Sequence, residues 1–361
     1  MSSEARRTAG NAPRSVRDVE VVAPNFKKRL SGVTSTIIQL VPEQARTLRI
    51  ATLGPGLPDD LPKLRLWQVP GLLTRPRNRP FRIWHARRNT EMLGGLLLRD
   101  VLRAPLKLVF TSAAQRHHTA YTKWLIRRMD AVIATSGRSG SFLEVPHKVV
   151  RHGIDTVRFH PPAEADDSWP ASGLPGRYGI GCFGRIRHQK GTDLFIEAMI
   201  DLLPGFPDWT AVVLGRVTAD NKAFAEELRR KVAAAGLSDR ILFLGEVADV
   251  LPWYRRITLC VAPSRNEGFG LTPLEAMASR TAVVASDAGA YAELVVPGET
   301  GQVVPAGDGA ALRRSIGAYL AEPERAARHG QAGLEHVRKH FVLATEAEGV
   351  RAVYESVWAR P

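Results

Sequence analysis

At 361 residues, 44% hydrophobic and 24% charged, the chain has the make-up of a globular protein too long for one hydrophobic core, and two domains of about 150 to 200 residues each are expected. No apolar run approaches the ~18 residues that a membrane-spanning helix needs, the longest being MLGGLLL at 92–98. The formal charge of +14 sits in one half: residues 1–165 carry 28 Lys and Arg against 12 Asp and Glu, whereas residues 166–361 carry 22 against 24. A first half at +16 points to an anionic partner, such as a nucleic acid, an acidic lipid surface or an acidic substrate.

In chain order, MSSEARRTAGNAPRSVR at 1–17 has arginines without an apolar stretch behind them and reads as a disordered tail, not a signal peptide. Strands are predicted at DVEVVAP (18–24), LRIATLG (48–54), FRIWHA (81–86), LKLVFTS (106–112) and DAVIATS (130–136), with helices at GVTSTIIQLVPEQ, EMLGGLLLRDVLR and HTAYTKWLIRRM between them. The stretch HPPAEADDSWPASGLPG, rich in proline, acid and small residues, marks a boundary near 165. The theme then repeats, with strands at YGIGCFG, TAVVLGR, RILFLGE, ITLCVAP, TAVVASD and GQVVPA joined by helices such as DLFIEAMIDLL and FAEELRRKVAAAG. Near-continuous apolar strands separated by helices predict parallel sheets covered on both faces, hence two doubly wound α/β domains at 18–165 and 166–340. A last helical pattern at 341–361 is expected to pack back on the first domain. Cys182 and Cys260 lie in short apolar runs and read as buried, reduced thiols.

Three motifs carry chemistry. Gly179, Gly181 and Gly184 spell the dinucleotide fingerprint, but they fall inside a strand, where that fingerprint needs the turn after it, and no acid follows at the proper distance. A nicotinamide site is therefore not expected. After the same strand, GRIRHQKGTD places Arg185 and Lys190 in a loop that opens a helix, a pattern suited to a phosphate or diphosphate. RNEGFGLTPLEAM at 265–277 follows a later strand and also opens a helix; the Gly268-Phe269-Gly270-Leu271 backbone can approach a ligand closely. Glu267 would repel a phosphate and instead suits sugar hydroxyls, or positive charge developing at a sugar carbon. Glu275 fits a capping box with Thr272, or could hold ribose hydroxyls. There is no Asp-x-Asp or His-Glu-x-x-His pattern, and with Arg185 and Lys190 as counter-charges no metal or other cofactor is required.

The series FGRIRHQKGTD, ILFLGEV with WYRR downstream, APSRNEGFGLTPLEAMA and VVASDAGAYAELVVPGETG resembles the C-terminal domain of the family 4 retaining glycosyltransferases. The resemblance implies the GT-B fold, two facing Rossmann-like domains, with Arg185 and Lys190 on the donor diphosphate, Glu275 on the ribose and Glu267 beside the transferred sugar. It also implies that Gly32, in Ser31-Gly32-Val33, abuts the donor phosphates and that His85 lies near the sugar. His152 stands where the family has asparagine, and Arg280 where many members have glycine.

The wording of APNFKKRLSGVTSTI, LGPGLPDDLP and TSAAQRHHTAYTKWLIRRMDAVIATS is similar to the bacterial lipopolysaccharide core mannosyltransferases, which move mannose from GDP-mannose onto a Kdo sugar. That likeness implies an anionic Kdo-lipid A acceptor reached from the cytoplasmic face of the inner membrane by a peripherally associated enzyme. Lys27, Lys28, Arg29, Arg87 and Arg88 are the expected acceptor cations, and the helix with Tyr121, Lys123, Trp124, Arg127 and Arg128 is a candidate for resting on the membrane. The competing readings are a UDP- or ADP-hexose donor with another glycolipid, a nucleotide-sugar epimerase of the same architecture, and a nucleic-acid-binding protein, for which no recognised motif is present.

Overall fold

The computed structural model describes residues 15–28 and 32–360, so most of the expected tail lies outside the described residues. The Asp18 carboxylate accepts the Ser15 amide at 3.0 Å and pairs with Arg77 at 3.0 Å, which ties 15–18 into the fold.

Two parallel sheets form the molecule. The first contains β1 (Val21–Pro24), β2 (Ile50–Leu53), β3 (Lys63–Leu64), β4 (Arg82–Ala86), β5 (Leu106–Ser112), β6 (Ala131–Ala134) and β7 (Lys148–Val149), in the order β3-β2-β1-β4-β5-β6-β7. The second contains β8 (Tyr178–Phe183), β9 (Trp209–Leu214), β10 (Ile241–Gly245), β11 (Leu259–Ala262), β12 (Ala282–Ser286) and β13 (Gly301–Val304), in the order β10-β9-β8-β11-β12-β13. Every strand predicted from an apolar run is present. The two unpredicted strands, β3 and β7, are two residues long; β7 is exposed and β3 buries only Leu64, so no hydrophobic pattern announces them.

Both orders are doubly wound, and both reverse direction next to the first strand: between β1 and β4, and between β8 and β11. At such a reversal the loops leaving the two strands diverge to opposite faces and open a crevice at the carboxyl ends. The loops bearing Lys190 and Glu267 leave β8 and β11, the two strands that flank the reversal. The fingerprint glycines serve packing instead: a Cβ on Gly179 would enter the Trp169 ring, and one on Gly181 would press Phe183 and Ile257.

The chain divides into two compact units, one ending at Gly153 and resuming at Leu343, the other Ile154–Val342. This division lies upstream of the proline-rich stretch, which belongs to the second unit through Trp169 in its core. The helix Leu343–Trp358 belongs to the first unit, where Val353, Tyr354, Val357 and Trp358 pack with Ile37, Leu40 and Val41 of the helix Gly32–Gln44. Where the chain leaves and re-enters this unit, the buried Glu346 carboxylate accepts the Gly153 amide at 2.8 Å and contacts His152 Nδ1 at 2.7 Å. Cys182 and Cys260 are unpaired and buried, and burial pushes the Cys182 thiol up to about 12.

Tyr354 has no exposed surface, and its hydroxyl meets His85 Nδ1 at 2.5 Å. Tyr354→Ala should cost about 3–5 kcal/mol in equilibrium urea unfolding, as large aromatic truncations do. Tyr354→Phe, which keeps the ring and loses one hydrogen bond, should cost about 1 kcal/mol.

Candidate active site

The loop after β8 is shaped before any ligand arrives. Gly184 lies at φ +124° and Gly191 at φ +69°, backbone regions that favour glycine. A Cβ on Gly191 would collide with the Pro263 carbonyl of the loop after β11, so the two loops touch there backbone to backbone. Arg265 fastens them further. Its guanidinium forks onto the Asp193 carboxylate with two bonds of 2.7 Å and donates to the His188 carbonyl at 2.8 Å, while its amide donates to the Gln189 carbonyl at 2.9 Å. Burial pushes the Asp193 carboxyl up, but the hydrogen bonds and charge of Arg265 outweigh this and hold it below the usual range. Neither Arg265 nor Asp193 was singled out from sequence; both lie inside the quoted motifs, but only the fold shows that residues 72 apart form one clamp.

The clamp sets Lys190 against Glu267. Lys190 Nζ and Glu267 Oε2 form an ion pair, and the two side chains are only 18% and 17% exposed. The Gly268 amide donates to Glu267 Oε1 at 3.3 Å, and the Tyr291 hydroxyl reaches Glu267 Oε2 at 3.5 Å. Gly270 at φ +86° and Gly289 at φ +65° close the pocket around that carboxylate: a Cβ on Gly270 would strike the Tyr291 ring, and one on Gly289 would sit 2.8 Å from Glu267 Cβ. Phe269 turns into the core, so in the 268–271 run its ring is structural. Tyr291 and Gly289 belong to the DAGAYAEL stretch, whose wording matched the family without any single residue standing out. Arg185 is exposed on the same loop as Lys190.

Glu275 corrects the sequence reading. The helix Thr272–Ala278 has no side-chain cap, and the Glu275 carboxylate instead accepts the Tyr254 hydroxyl at 2.6 Å. Burial raises the Glu275 carboxyl above its ordinary value, partly offset by Tyr254 and by the charges of Lys190 and Arg158. Tyr254 itself is buried against Phe183 and Phe159, and burial followed by the Glu275 charge keeps its hydroxyl protonated as a donor. Lys190 thus acts on both glutamates, by direct pairing with one and by its field on the other.

In the first unit, β1 and β4 flank the corresponding crevice. Lys27 and Lys28 are exposed in the loop after β1; Arg29 and Ser31 lie outside the described residues. Gly32 opens its helix in open space, with nothing near where a Cβ would stand. Arg88 departs from the expected role of a solvent-facing acceptor cation. It is 12% exposed, with bonds of 2.7 Å to the fully buried Glu91, 2.7 Å to Asn25 and 3.0 Å to Thr34, which lock the β1 loop to the β4 loop. Arg87 is half-buried and its amide donates to Glu91 at 2.8 Å. His85 is also set in the framework, at 1% exposure, with Nδ1 on Tyr354 and Nε2 on Thr111 at 2.6 Å. Burial, then the nearby Arg87 charge, hold its imidazole well below the usual range and so neutral at physiological pH. Among the described residues, no group of three or more His, Cys, Asp or Glu could hold a metal ion.

Two Rossmann-like sheets, one with a cation and a paired glutamate at its reversal, place the protein in the GT-B class. A family model described as "Glycosyl transferases group 1" matches residues 177–322. The chain is 68% identical to the lipopolysaccharide core biosynthesis mannosyltransferase LpcC of Rhizobium leguminosarum bv. viciae, over 95% of this chain and 97% of that protein. It is 56% identical to the lipopolysaccharide core biosynthesis mannosyltransferase LpsB of Rhizobium meliloti (strain 1021), over 95% and 99% respectively. The crystal structure of Anabaena Alr3699/HepE in complex with UDP shares the fold at a TM-score of 0.80, covering 94% of this chain and all of that one at 19% identity. The chain belongs to the group 1 glycosyltransferases, in the family of the lipopolysaccharide core biosynthesis mannosyltransferases.

Arg265→Ala removes a two-pronged charged contact of the kind worth about 1.5–3 kcal/mol, which should lower kcat/KM for glycosyl transfer roughly 10- to 100-fold by freeing Lys190 from its position. Steady-state kinetics beside a melting curve checks this; unchanged kinetics would mean that the clamp does not position the site.

Proposed function

We propose that this glycosyltransferase moves mannose from GDP-mannose to a Kdo sugar of the lipopolysaccharide inner core, with retention of anomeric configuration. The observation that carries the reading is the 68% identity, over nearly the whole of both chains, to a lipopolysaccharide core biosynthesis mannosyltransferase. The +16 first half supports it, since a Kdo-lipid A acceptor is rich in carboxylates and phosphates. Lys27 and Lys28 are the acceptor cations retained in this proposal. Arg88 is reassigned to the framework, and so is His85, because its ring nitrogens are already engaged.

The chemistry follows from the ion pair. Lys190 alone neutralises Glu267, whereas a donor diphosphate offers Lys190 a stronger anion and frees the carboxylate of Glu267 to face the sugar. With Lys190 and Arg185 on the diphosphate, charge building on the leaving oxygen is stabilised as the bond from the sugar carbon breaks. The acceptor hydroxyl bonds to that carbon from the same face and passes its proton to the departing diphosphate. Glu267, held by the Gly268 amide, stabilises the positive charge that develops at the carbon, and Glu275, aligned by Tyr254, takes the ribose hydroxyls. The counter-charge comes from side chains, so the reaction proceeds without an added cofactor or divalent ion. The enzyme works peripherally at the cytoplasmic face of the inner membrane, where donor and lipid-held acceptor meet, and no helix among the described residues is long and apolar enough to cross it.

A donor panel tests the reading, with GDP-mannose against UDP- and ADP-hexoses, Kdo-bearing lipid A as acceptor, and a chelator arm. Mannose transfer from GDP-mannose, undiminished by EDTA, is expected. Transfer only from a UDP-sugar would refute the donor, and conversion of donor without acceptor would indicate an epimerase. Lys190→Ala should lower transfer by 10²-fold or more, the scale on which one charge-stabilising group is lost.

A further inference from the structure

One surface of the first unit is not used by this chemistry. The helix Asn89–Leu96 continues without a break into a π-helical turn, Leu97–Val101, and beside it lies the helix Ala120–Ile126. They are cross-linked at both ends: the Asn89 amide donates to Thr122 Oγ1 at 2.8 Å, and Arg99 donates to the Arg128 carbonyl at 3.2 Å. Their inner faces share one core through Met92, Leu96, Leu125 and Ile126. Their outer faces are apolar where a solvated surface would be polar. Leu93, Leu97 and Val101, four residues apart along one row, are 47%, 54% and 66% exposed, and Leu102 extends the row.

The neighbouring helix adds aromatic and cationic groups. Tyr121 and Trp124 are exposed and stacked 6.3 Å apart, and the Arg128 guanidinium lies 3.9 Å over the Trp124 ring. The row also leads toward the acceptor loop, because the exposed Phe26 ring rests on Gly94, next in sequence to Lys27. Residues 89–128 carry seven Lys and Arg against two Asp and Glu. Two further acids face this segment from outside it: Asp130 pairs with Arg99 and Lys107, and Glu144 with Lys123 and Arg127. Counting both, the ridge remains net positive.

We propose that this two-helix ridge docks the enzyme on a bilayer containing anionic lipid. Leu97, Val101 and Leu102 enter the acyl boundary, Tyr121 and Trp124 lie at headgroup depth, and Arg103, Arg127 and Arg128 reach the phosphates. Charge selects this occupant: a second copy docked through the same face would bring cations against cations, whereas an anionic bilayer satisfies both the cations and the apolar row. The proposal rests on the reading of a lipid-held acceptor and specifies the face that meets the lipid.

The test sediments the full-length enzyme with vesicles of phosphatidylcholine alone or with about one third phosphatidylglycerol. Binding to the anionic vesicles is expected, falling at least 10-fold in Leu97→Ser/Val101→Ser and in Trp124→Ser. Melting temperature, and transfer to a Kdo oligosaccharide without acyl chains, should stay at the wild-type level. Variants that bind vesicles like the wild type, or a wild type that ignores anionic vesicles, would overturn the proposal. So would a wild-type dimer that becomes monomeric in the double variant, since the face would then serve self-association. Vesicle binding without mannose transfer would remove the proposed reaction and leave the docking surface standing; transfer without vesicle binding would do the reverse.

Discussion

The ion pair between Lys190 and Glu267 is the constraint on which the candidate site depends. Two opposite charges less than a fifth exposed hold each other in place, and neither is positioned by its own loop alone. The Arg265–Asp193 fork and the contact of Gly191 with Pro263 make the loops after β8 and β11 one body. The parallel order of the second sheet puts those loops side by side at its reversal. Sheet topology sets where the charges are, and the clamp sets how close they come.

The pair also explains why the site needs its glycines and tyrosines. Gly270 and Gly289 leave room for the Glu267 side chain, and Tyr291 closes over it. Tyr254 performs a similar service for Glu275 from the aromatic core beneath. Two partly buried carboxylates thus share one lysine, with only the Arg158 charge added on Glu275, an arrangement that costs desolvation. In the proposed reaction, the donor diphosphate gives the lysine a stronger partner and the sugar hydroxyls give the carboxylates donors.

Most of the fold was legible in the sequence because buried parallel strands must be apolar along their whole length, as VVAP, IATL and LCVA are. The strands β3 and β7 escaped because two-residue edges, of which only Leu64 is buried, bury too little to leave a pattern. In the site, Lys190, Glu267 and Glu275 could be named from loop position and family wording, since charge beside a glycine-rich helix start is a local signal. Arg265, Asp193, Tyr254 and Tyr291 act across tens of residues of sequence, and only the fold reveals such pairings. Arg88 and His85 show what strand-end position alone does not tell: both side chains are buried or nearly so and bonded within the first unit, a constraint that no local pattern announces.

In the proposed reaction Lys190 exchanges Glu267 for the donor diphosphate. Calorimetric binding of GDP to the wild type, Lys190→Ala and Glu267→Gln tests it most directly. Lys190→Ala should weaken GDP binding at least 10-fold, while Glu267→Gln, which releases the lysine from its internal partner, should bind GDP as tightly as the wild type or more so. Equal weakening in both variants would contradict it, because Glu267 would then be supporting the diphosphate site and not competing for its cation.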